Sequence, residues 1–275
     1  MSFTLTELKS TIQDYSENTE TTFVNNLREF IRAAENRIFK SVDFEVFRKN
    51  VTSATTSSDR FLSVPDDYLA SFSLSLTNSS NIEFLLEKDV NFIQEYNPNS
   101  STTGVPKYYA RFDVTNFILA PTPNSNYSLE LHYYYRPTSL ADSTIELTVA
   151  SSSSLAVNEV ITGSSSGATA TIKSKNDTTN KLTIIVPTTA FTSGETVTGG
   201  TTGASSAISA ISSDTTTTWL STNARSALLY GALYESYIFM KGEPDILTLY
   251  EKRFTEELMR LKDLGEAREN ADAYR

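Results

Sequence analysis

The chain has 275 residues, 39% hydrophobic and 11% aromatic, which is enough to bury one full core, or one core and a small second domain. Its formal net charge of −10 argues against a surface that binds phosphate backbones by releasing counterions. The absence of cysteine excludes disulfides, thiolate nucleophiles and cysteine-ligated metals. We also expect no signal peptide and no membrane span, because no stretch approaches roughly 18 apolar residues.

Two amphipathic helices are predicted near the N-terminus. The first follows a capping threonine, Thr4 or Thr6, and repeats apolar residues at helical spacing from Leu5 to Tyr15. The second is stronger, because a continuous apolar face is separated from the charged residues around the helix. That face consists of Phe23, Leu27, Phe30, Ile31, Ala34 and Ile38, and the charged residues are Arg28, Glu29, Arg32, Glu35 and Arg37.

Residues 61–136 are predicted to form a β region. Strand-like runs are separated by turn signals, of which Pro65-Asp66-Asp67 and Asp113–Asn116 are the clearest. A short helix is expected from Glu87 to Tyr96, stopped by Asn97-Pro98. The predicted strands are 61–64, 72–76, 82–86, 108–112, 117–120 and 127–136.

The stretch 144–213 differs from the rest of the chain, because it holds a single aromatic residue, Phe191, and is rich in Ser, Thr, Gly and Ala. Within it, the segment Glu159–Ala168 recurs 36 residues further on as Glu195–Ala204, with a Gly-x-x-x-Gly turn in both copies. We interpret each copy as strand, turn and strand, and with a strand at 181–186 this predicts an inserted β sandwich or barrel. The alternative is a flexible Ser/Thr linker, which would not need the branched apolar positions that the repeat preserves.

Two further helices are predicted after the β-rich stretch. The first runs from Leu220 and ends at Lys241–Pro244, with glycine past the last turn and proline beyond it. The second carries an apolar face from Ile246 to Leu261. The segment Gly265–Arg275 is polar and charged, and we expect it to be frayed or ordered by a partner.

These elements together predict an α+β fold. It would comprise an antiparallel helix bundle, made of the N-terminal helices and the two C-terminal helices, a β subdomain and an inserted small all-β module. The predicted domains are a discontinuous core of residues 1–143 and 214–275, the module 144–213, and a C-terminal tail 265–275.

The sequence offers no recognisable set of catalytic residues. The only histidine, His132, lies on the polar side of a predicted strand near Glu130 and Arg136, which favours a hydrogen-bonded surface or interface histidine. The glycines at 199–203 lack the Gly-Lys-Ser/Thr of a phosphate loop, and the tyrosines at 133–135 suit packing better than stacking on a base or sugar. We therefore expect no enzymatic activity, no cofactor and no metal.

Four segments follow one another along the chain: FVNNLREFIRAAENRIFK (23–40), FLSVPDDYLASFSL (61–74), GVPKYYARFDVTNFILAPTPNSNYSLELHYYYRP (104–137) and TTWLSTNARSALLYGALYESYIFMKGEPDILTLYEKRF (217–254). In this order they resemble the head-to-tail adaptor (connector) proteins of tailed bacteriophages. Their order and spacing carry the resemblance, which spans roughly three quarters of the chain. The departure is the stretch 144–213, where the family usually has a short link.

The resemblance implies a structural virion protein, made in the bacterial cytoplasm and located in the neck between head and tail. Such adaptors form a ring, usually a dodecamer, whose helices surround the DNA channel. The implied partners are further copies of the chain, the portal protein, a tail nozzle, tube or stopper protein, and double-stranded DNA that passes without sequence-specific binding. No membrane partner is implied.

The same resemblance supplies the candidate site residues. The C-terminal segment of such adaptors often docks on the portal, so the candidate portal contacts are Gly265, Arg268, Tyr274 and Arg275. The candidates for ring packing are Phe23, Leu27, Phe30, Ile31, Trp219, Tyr230, Tyr234, Tyr250 and Phe254.

Three other functions stay open at this point. A tail-completion or stopper protein would bind only after the adaptor is in place. A carbohydrate-binding or adhesion module would use 144–213 for recognition, so that deleting this stretch would abolish binding to the host surface and leave assembly intact. An enzyme such as a cell-wall hydrolase would depend on His132 or on a carboxylate that the sequence does not single out.

Overall fold

The computed structural model describes residues 2–42 and 45–273, with the side chains of all of these except Glu45 and residues 264–273. Over these residues the fold is α+β, as predicted. Contacts divide the chain into two compact units, Met1–Asp43 with Thr138–Arg275, and Phe44–Pro137. The helices are α1 (Leu5–Ser16), α2 (Thr21–Ser41), α3 (Val90–Tyr96), α4 (Trp219–Asn223), α5 (Arg225–Met240) and α6 (Pro244–Ala273).

The unit Phe44–Pro137 is built on a seven-stranded sheet of order β1-β9-β3-β4-β6-β7-β2, antiparallel except between β4 and β6. The first strand was not predicted, because its sequence, RKNVTSA, is polar and lies mostly exposed. The other long strands form at the predicted places. The strands are β1 (Arg48–Ala54), β2 (Phe61–Ser63), β3 (Tyr68–Asn78), β4 (Asn81–Glu87), β5 (Thr103–Gly104), β6 (Tyr108–Arg111), β7 (Asn116–Ala120), β8 (Thr122–Pro123) and β9 (Ser128–Tyr135).

A smaller core, which includes Ala110, Ile118 and Ala120, lies on one face of this sheet, and the larger core lies on the other. Leu74, Phe117 and Tyr133 are among its fully buried side chains, as expected from alternation along β3, β7 and β9. Helix α3, capped by Asp89, buries Ile93 against β6 and β7. The predicted turn at 65–67 is fixed by Asp67, whose carboxylate accepts hydrogen bonds from Tyr133 Oη and Lys49 Nζ, each at 2.7 Å.

In the other unit, the first two helices form where the apolar spacing predicted them. Thr4 Oγ1 accepts from the backbone N–H of Glu7 and the Thr4 N–H donates to the Glu7 carboxylate, at 3.2 and 3.0 Å, so α1 begins at Leu5. The apolar face of α2 is buried. Glu35, which we placed among the outward charges of α2, is also buried, at 2% exposure. The segment that follows Thr138 covers it and donates hydrogen bonds to its carboxylate.

The C-terminal helices depart from the prediction in three places. The first predicted helix is divided at Ala224 into α4 and α5, because Ala224 has a non-helical φ of −124°. The left-handed residue that ends α5 is Lys241, with φ 53°, whereas Gly242 lies against Tyr237. The segment from Gly265, expected to be frayed or ordered by a partner, continues α6 as far as Ala273.

Helix α5 packs against α1, α2 and α6. It approaches α2 and α6 closely at Gly231, where an added Cβ would lie 2.8 Å from the Phe254 ring of α6 and 2.9 Å from Cβ of Ala34 on α2. The side of α5 that carries Gly231 therefore admits no larger residue without a shift of its neighbours. The buried residues of α5 are Ala227, Leu228, Leu229, Gly231, Ala232, Leu233 and Ser236.

The stretch 144–213 forms a closed barrel of order β10-β13-β12-β11-β14-β15, which confirms the β module and contradicts the flexible linker. Its interior holds short apolar residues such as Leu147, Ile172 and Val197, each 0% exposed. These residues and those of α1, α2 and α5 form one continuous apolar cluster. The strands are β10 (Thr144–Val149), β11 (Val160–Gly163), β12 (Thr169–Asn176), β13 (Lys181–Ile185), β14 (Thr196–Gly199) and β15 (Ser205–Ile211).

Candidate interaction sites

Most of the side chains predicted to pack the ring lie inside the chain's own core. Six of them are at most 9% exposed, so in this conformation they stabilise the helices and present little surface to another copy. A role in ring packing stays a prediction for all nine. The six buried residues are Phe23, Leu27, Phe30, Ile31, Tyr250 and Phe254.

The other three, Trp219, Tyr230 and Tyr234, are half-buried. Tyr230 stacks on Tyr250 with ring centroids 6.4 Å apart, and Arg253 Nη1 donates to its hydroxyl at 3.3 Å. The guanidinium of Arg37 lies 5.1 Å above the Tyr234 ring. Tyr230 and Tyr234 each contact other side chains of the chain and are also partly exposed to solvent, which is typical of interface residues.

The predicted portal contacts fall on the last part of the chain. The backbone of Gly265 and Arg268 belongs to α6. Tyr274 and Arg275 lie outside the described residues. The portal contact itself stays a prediction.

Large apolar side chains are exposed on the hairpin of β3 and β4. Ile82, Phe84 and Leu86 are 64%, 68% and 58% exposed and alternate along β4, so they share one side of the strand. Strand β6 pairs with β4 only at Leu86 and Glu87, so among the described residues Asn81–Leu85 pair on one edge alone, with β3. An open edge beside exposed apolar residues favours pairing with another chain.

The helical unit has exposed apolar side chains of its own. Ile238 and Phe239 near the end of α5 are 43% and 45% exposed, and Leu249 and Met259 on α6 are 47% and 60% exposed. Soluble monomers expose single apolar residues routinely, but several on neighbouring helices indicate a contact surface.

A group of charges on α2 holds the segment 138–143, and the sequence analysis did not find it. The Glu35 carboxylate accepts from Leu140 N at 2.9 Å and from the Ser139 hydroxyl. Burial raises the pKa of Glu35 despite these hydrogen bonds. Arg32 pairs with Asp142 at 2.5 Å. The contacts join residues more than a hundred positions apart, which no local pattern signals.

The two copies of the internal repeat hold each other through glutamates. The Glu195 carboxylate accepts backbone hydrogen bonds from Ser165 and Ser166, in the turn of the first copy, at 3.0 and 2.9 Å. It also accepts from Thr192 N at 2.6 Å. Burial by itself raises the pKa of Glu195, but these hydrogen bonds outweigh it and lower the pKa to about 2.

Glu159 makes the reciprocal contact with the turn of the second copy. Its carboxylate accepts from Thr201 N and Thr202 N at 3.4 and 3.2 Å, and from Ala156 N at 2.5 Å. Burial raises the pKa of Glu159, and the hydrogen bonds from Ala156 and Thr202 reverse the shift and lower it. Each glutamate is the first residue of its repeat copy, and this match between the two copies was the signal available in the sequence.

The first glycine of each turn makes room for the other copy's carboxylate. A Cβ at Gly163 would lie 2.6 Å from Glu195 Oε2, and one at Gly199 would collide with Glu159 Oε2. The last glycines, Gly167 and Gly203, have φ of +64° and +68°, which favours glycine. The reciprocal contacts of the two repeat copies therefore help to close the barrel.

His132 is a surface histidine with partners, as predicted. Its Nε2 lies 2.8 Å from Asn50 Nδ2 and 3.3 Å from Glu130 Oε1. Over the residues whose side chains are described, no three His, Asp or Glu gather in a group that could hold a metal ion. In the same part of the chain, no helix has both the length and the apolarity needed to cross a bilayer.

Comparison with known families gives a match over the N-terminal part of the chain. The model of the family described as SU10 adaptor protein matches residues 3–161, more than half of the chain. The match includes α1, α2, the seven-stranded sheet and the first strand of the barrel, and it ends within β11. The segment 217–254, which contributed to the resemblance, lies outside the matched residues. No curated protein matches the chain.

Proposed function

We propose, since the chain belongs to the SU10 adaptor protein family of phage head-to-tail adaptors, that it forms a homo-oligomeric ring between the portal and the tail. Family membership makes it a structural component of the virion that assembles with other virion proteins. The match over residues 3–161 is the observation that carries the proposal. A dodecamer is the expected ring, by likeness to such adaptors.

The helices are the proposed frame of this ring. We propose that α1, α2, α5 and α6 act as an antiparallel bundle in each copy, because α5 packs against the other three. The exposed apolar residues of α5 and α6 and the half-buried Tyr230 and Tyr234 support contacts between neighbouring copies on this unit.

The β3–β4 hairpin is the second proposed contact. Ile82 and Phe84 flank a strand edge that another chain can pair with. Since exposed side chains add little to the stability of a single copy, replacing Phe84 by serine is expected to weaken ring assembly without unfolding the chain. Val114, which is 82% exposed in the turn between β6 and β7, offers a matched control for loss of an apolar surface residue.

The proposed ring surrounds the DNA channel. A net charge of −10 per copy repels phosphates, which would let the DNA slide through without sticking. A channel lined with Lys and Arg in the assembled ring would contradict this part of the proposal.

The C-terminal segment of the chain and the barrel have separate proposed roles. We propose that Gly265–Arg275 docks on the portal, and that the preceding turns of α6 extend this segment towards it. The stretch 144–213 is proposed as an inserted domain on the outer side of the ring, where an insertion disturbs assembly least.

Mass photometry of the full chain, alone and mixed with the portal of its own phage, tests the function. A ring-sized species, alone or with portal, is expected. The chain lacking 265–275 is expected to lose portal binding, and F84S to assemble less well than V114S. A wild-type chain that stays monomeric and ignores portal would contradict the proposal and favour a stopper, which binds only after the adaptor.

A further inference from the structure

A groove lies between the two outermost strands of the seven-stranded sheet, β1 and β2. Over the described residues β1 pairs only with β9 and β2 only with β7, so each of these strands has an open edge. Residues 51–53 of β1 and 62–65, in and just after β2, line a cavity of about 260 Å³, which we call the β1–β2 groove. The backbone groups of an open strand edge favour pairing with a further strand.

The floor of the β1–β2 groove is the larger core of this unit. Leu74, Leu129 and Leu131 line the groove and are at most 5% exposed. Val51 lies opposite Leu131 in the pairing of β1 with β9, so both side chains point to the same face of the sheet. Val51 is nevertheless 37% exposed. The core is therefore uncovered where the groove reaches β1.

The β3–β4 hairpin has the features that would cover it. Asn81–Leu85 has an open edge, and Ile82 and Phe84 share one side of the strand with most of their surface exposed. A cavity of about 150 Å³ can hold a benzene ring, so the groove has room for the Phe84 ring and an aliphatic side chain. Within one copy β9 and β3 lie between β1 and β4, and β4 does not line the groove.

The charges of the two open strands are complementary. Strand β1 carries Arg48 and Lys49 and no acidic residue, whereas β4 carries Glu83 and Glu87 and no basic residue. Like charges directly opposite each other destabilise a pair of strands. Pairing of β4 with β1 is therefore favoured over pairing of two copies of β1 or two copies of β4.

We propose that the β3–β4 hairpin of one copy fills the β1–β2 groove of the next copy, with β4 antiparallel to the open edge of β1. This contact rests on the ring of the proposed function and names the surfaces that join its copies. Main-chain hydrogen bonds would hold the two strands together, and the apolar side chains in the groove would make the contact specific. Hairpin and groove are different surfaces, so the contact is head-to-tail, which is the kind that closes into a ring.

The side-chain pattern fixes the register of this pairing. With Phe84 opposite Val51, Ile82 lies opposite Ser53, and all of these side chains are on the groove side. Glu83 then lies opposite Thr52 on the other side of the strands. A shift by one residue would turn Ile82 and Phe84 away from the groove.

Disulfide cross-linking tests the register, because the chain has no cysteine of its own. Directly opposed residues of antiparallel strands have Cα atoms about 4.5–5.5 Å apart, which a disulfide can span. The full chain carrying both Thr52→Cys and Glu83→Cys, oxidised alone and with portal, is expected to give a ladder of covalent oligomers. The matched control carries Glu83→Cys with Val114→Cys, at an exposed turn outside the contact, and is expected to give none.

A charge exchange separates this contact from a structural role of the same residues. Thr52 and Glu83 are both exposed, and Thr52→Glu would place a carboxylate opposite Glu83. In mass photometry we expect T52E to need a several-fold higher chain concentration for assembly, and the double variant T52E/E83K to restore it. Val114→Glu is the control and is expected to assemble like the wild type.

The results distinguish this contact from the ring itself. A ring-sized species together with the cross-linked ladder supports both. A ring without the ladder, or T52E that E83K does not rescue, overturns the hairpin contact and leaves the proposed function standing. A ladder without a ring-sized species supports the contact and contradicts the closed ring, and a wild-type chain that stays monomeric with portal overturns both.

Discussion

At the scale of single residues, the two buried glutamates of the barrel act as hydrogen-bond acceptors for turns of the backbone. Glu159 and Glu195 are 4% and 6% exposed, and each satisfies backbone N–H groups in a turn that has no strand partner. The repeat could be found in the sequence because its spacing is fixed. The crossed pairing could not, since it depends on the barrel closing and bringing β11 beside β14.

The first prediction concerns Glu195→Gln. A glutamine keeps the volume but loses the charge and presents an N–H₂ group to donors, so the barrel is expected to lose about 2–3 kcal/mol at neutral pH. Amide hydrogen exchange of β11 and β12 measures this loss locally. Glu146→Gln is the matched control, because Glu146 is half exposed and pairs with Lys181 at the surface.

The same residue predicts a pH dependence. The pKa of Glu195 in the fold is about 2, below its ordinary value of 4.5, so its stabilising contribution is complete above pH 4.5. It is lost as pH falls from about 4.5 towards 2. Hydrogen exchange of the wild type and E195Q should therefore converge over this range, and a gap that stays constant from pH 7 to 2 would contradict the assigned role.

At the scale of elements, the apolar spacing of α1 and α2 and the alternation of β9 determined helices and strands correctly. Strand β1 was missed because it gains its pairing from β9, eighty positions away, and not from its own composition. Gly231 was not singled out either. In the sequence it is an unfavourable residue in a helix, and only the approach of α2 and α6 explains it.

Gly231→Ala tests that explanation. Alanine favours a helix by about 1 kcal/mol, yet the added Cβ would press on Phe254 and Ala34, and overpacking of this kind costs about 1–3 kcal/mol. We expect a net loss of stability of about 1 kcal/mol in chemical denaturation followed by helix content. Gly104→Ala is the control, because its Cβ would meet Pro121 only at an ordinary 3.4 Å. A more stable G231A would disprove the close-packing role.

At the scale of the whole molecule, the barrel and the helices of the unit Met1–Asp43 with Thr138–Arg275 share one apolar cluster. Composition and the internal repeat set the stretch 144–213 apart as a separate module. Its boundaries as a domain stay a prediction, but the shared core has a consequence for the deletion that would test its role.

Joining Ser143 to Asp214 by a short Gly/Ser linker is expected to destabilise the remaining helices. The deletion removes the barrel's part of the apolar cluster to which Leu5, Leu8 and Ile12 of α1 belong. The hydrogen-exchange protection of α1 should therefore fall together with the thermal midpoint of the helical signal. Unchanged protection in α1 would instead support a freely removable inserted domain. Loss of assembly by this variant therefore has to be compared with its stability before a contact is assigned to the barrel.

The sequence by itself determined what neighbouring residues encode: the helices and most strands, the turns, the repeated module and the order of segments that resembles phage adaptors. Local spacing and turn chemistry suffice for these features. The tertiary structure decided which charges are buried and which aromatic residues belong to the chain's own core. These depend on contacts between distant segments, which exist only once the chain has folded.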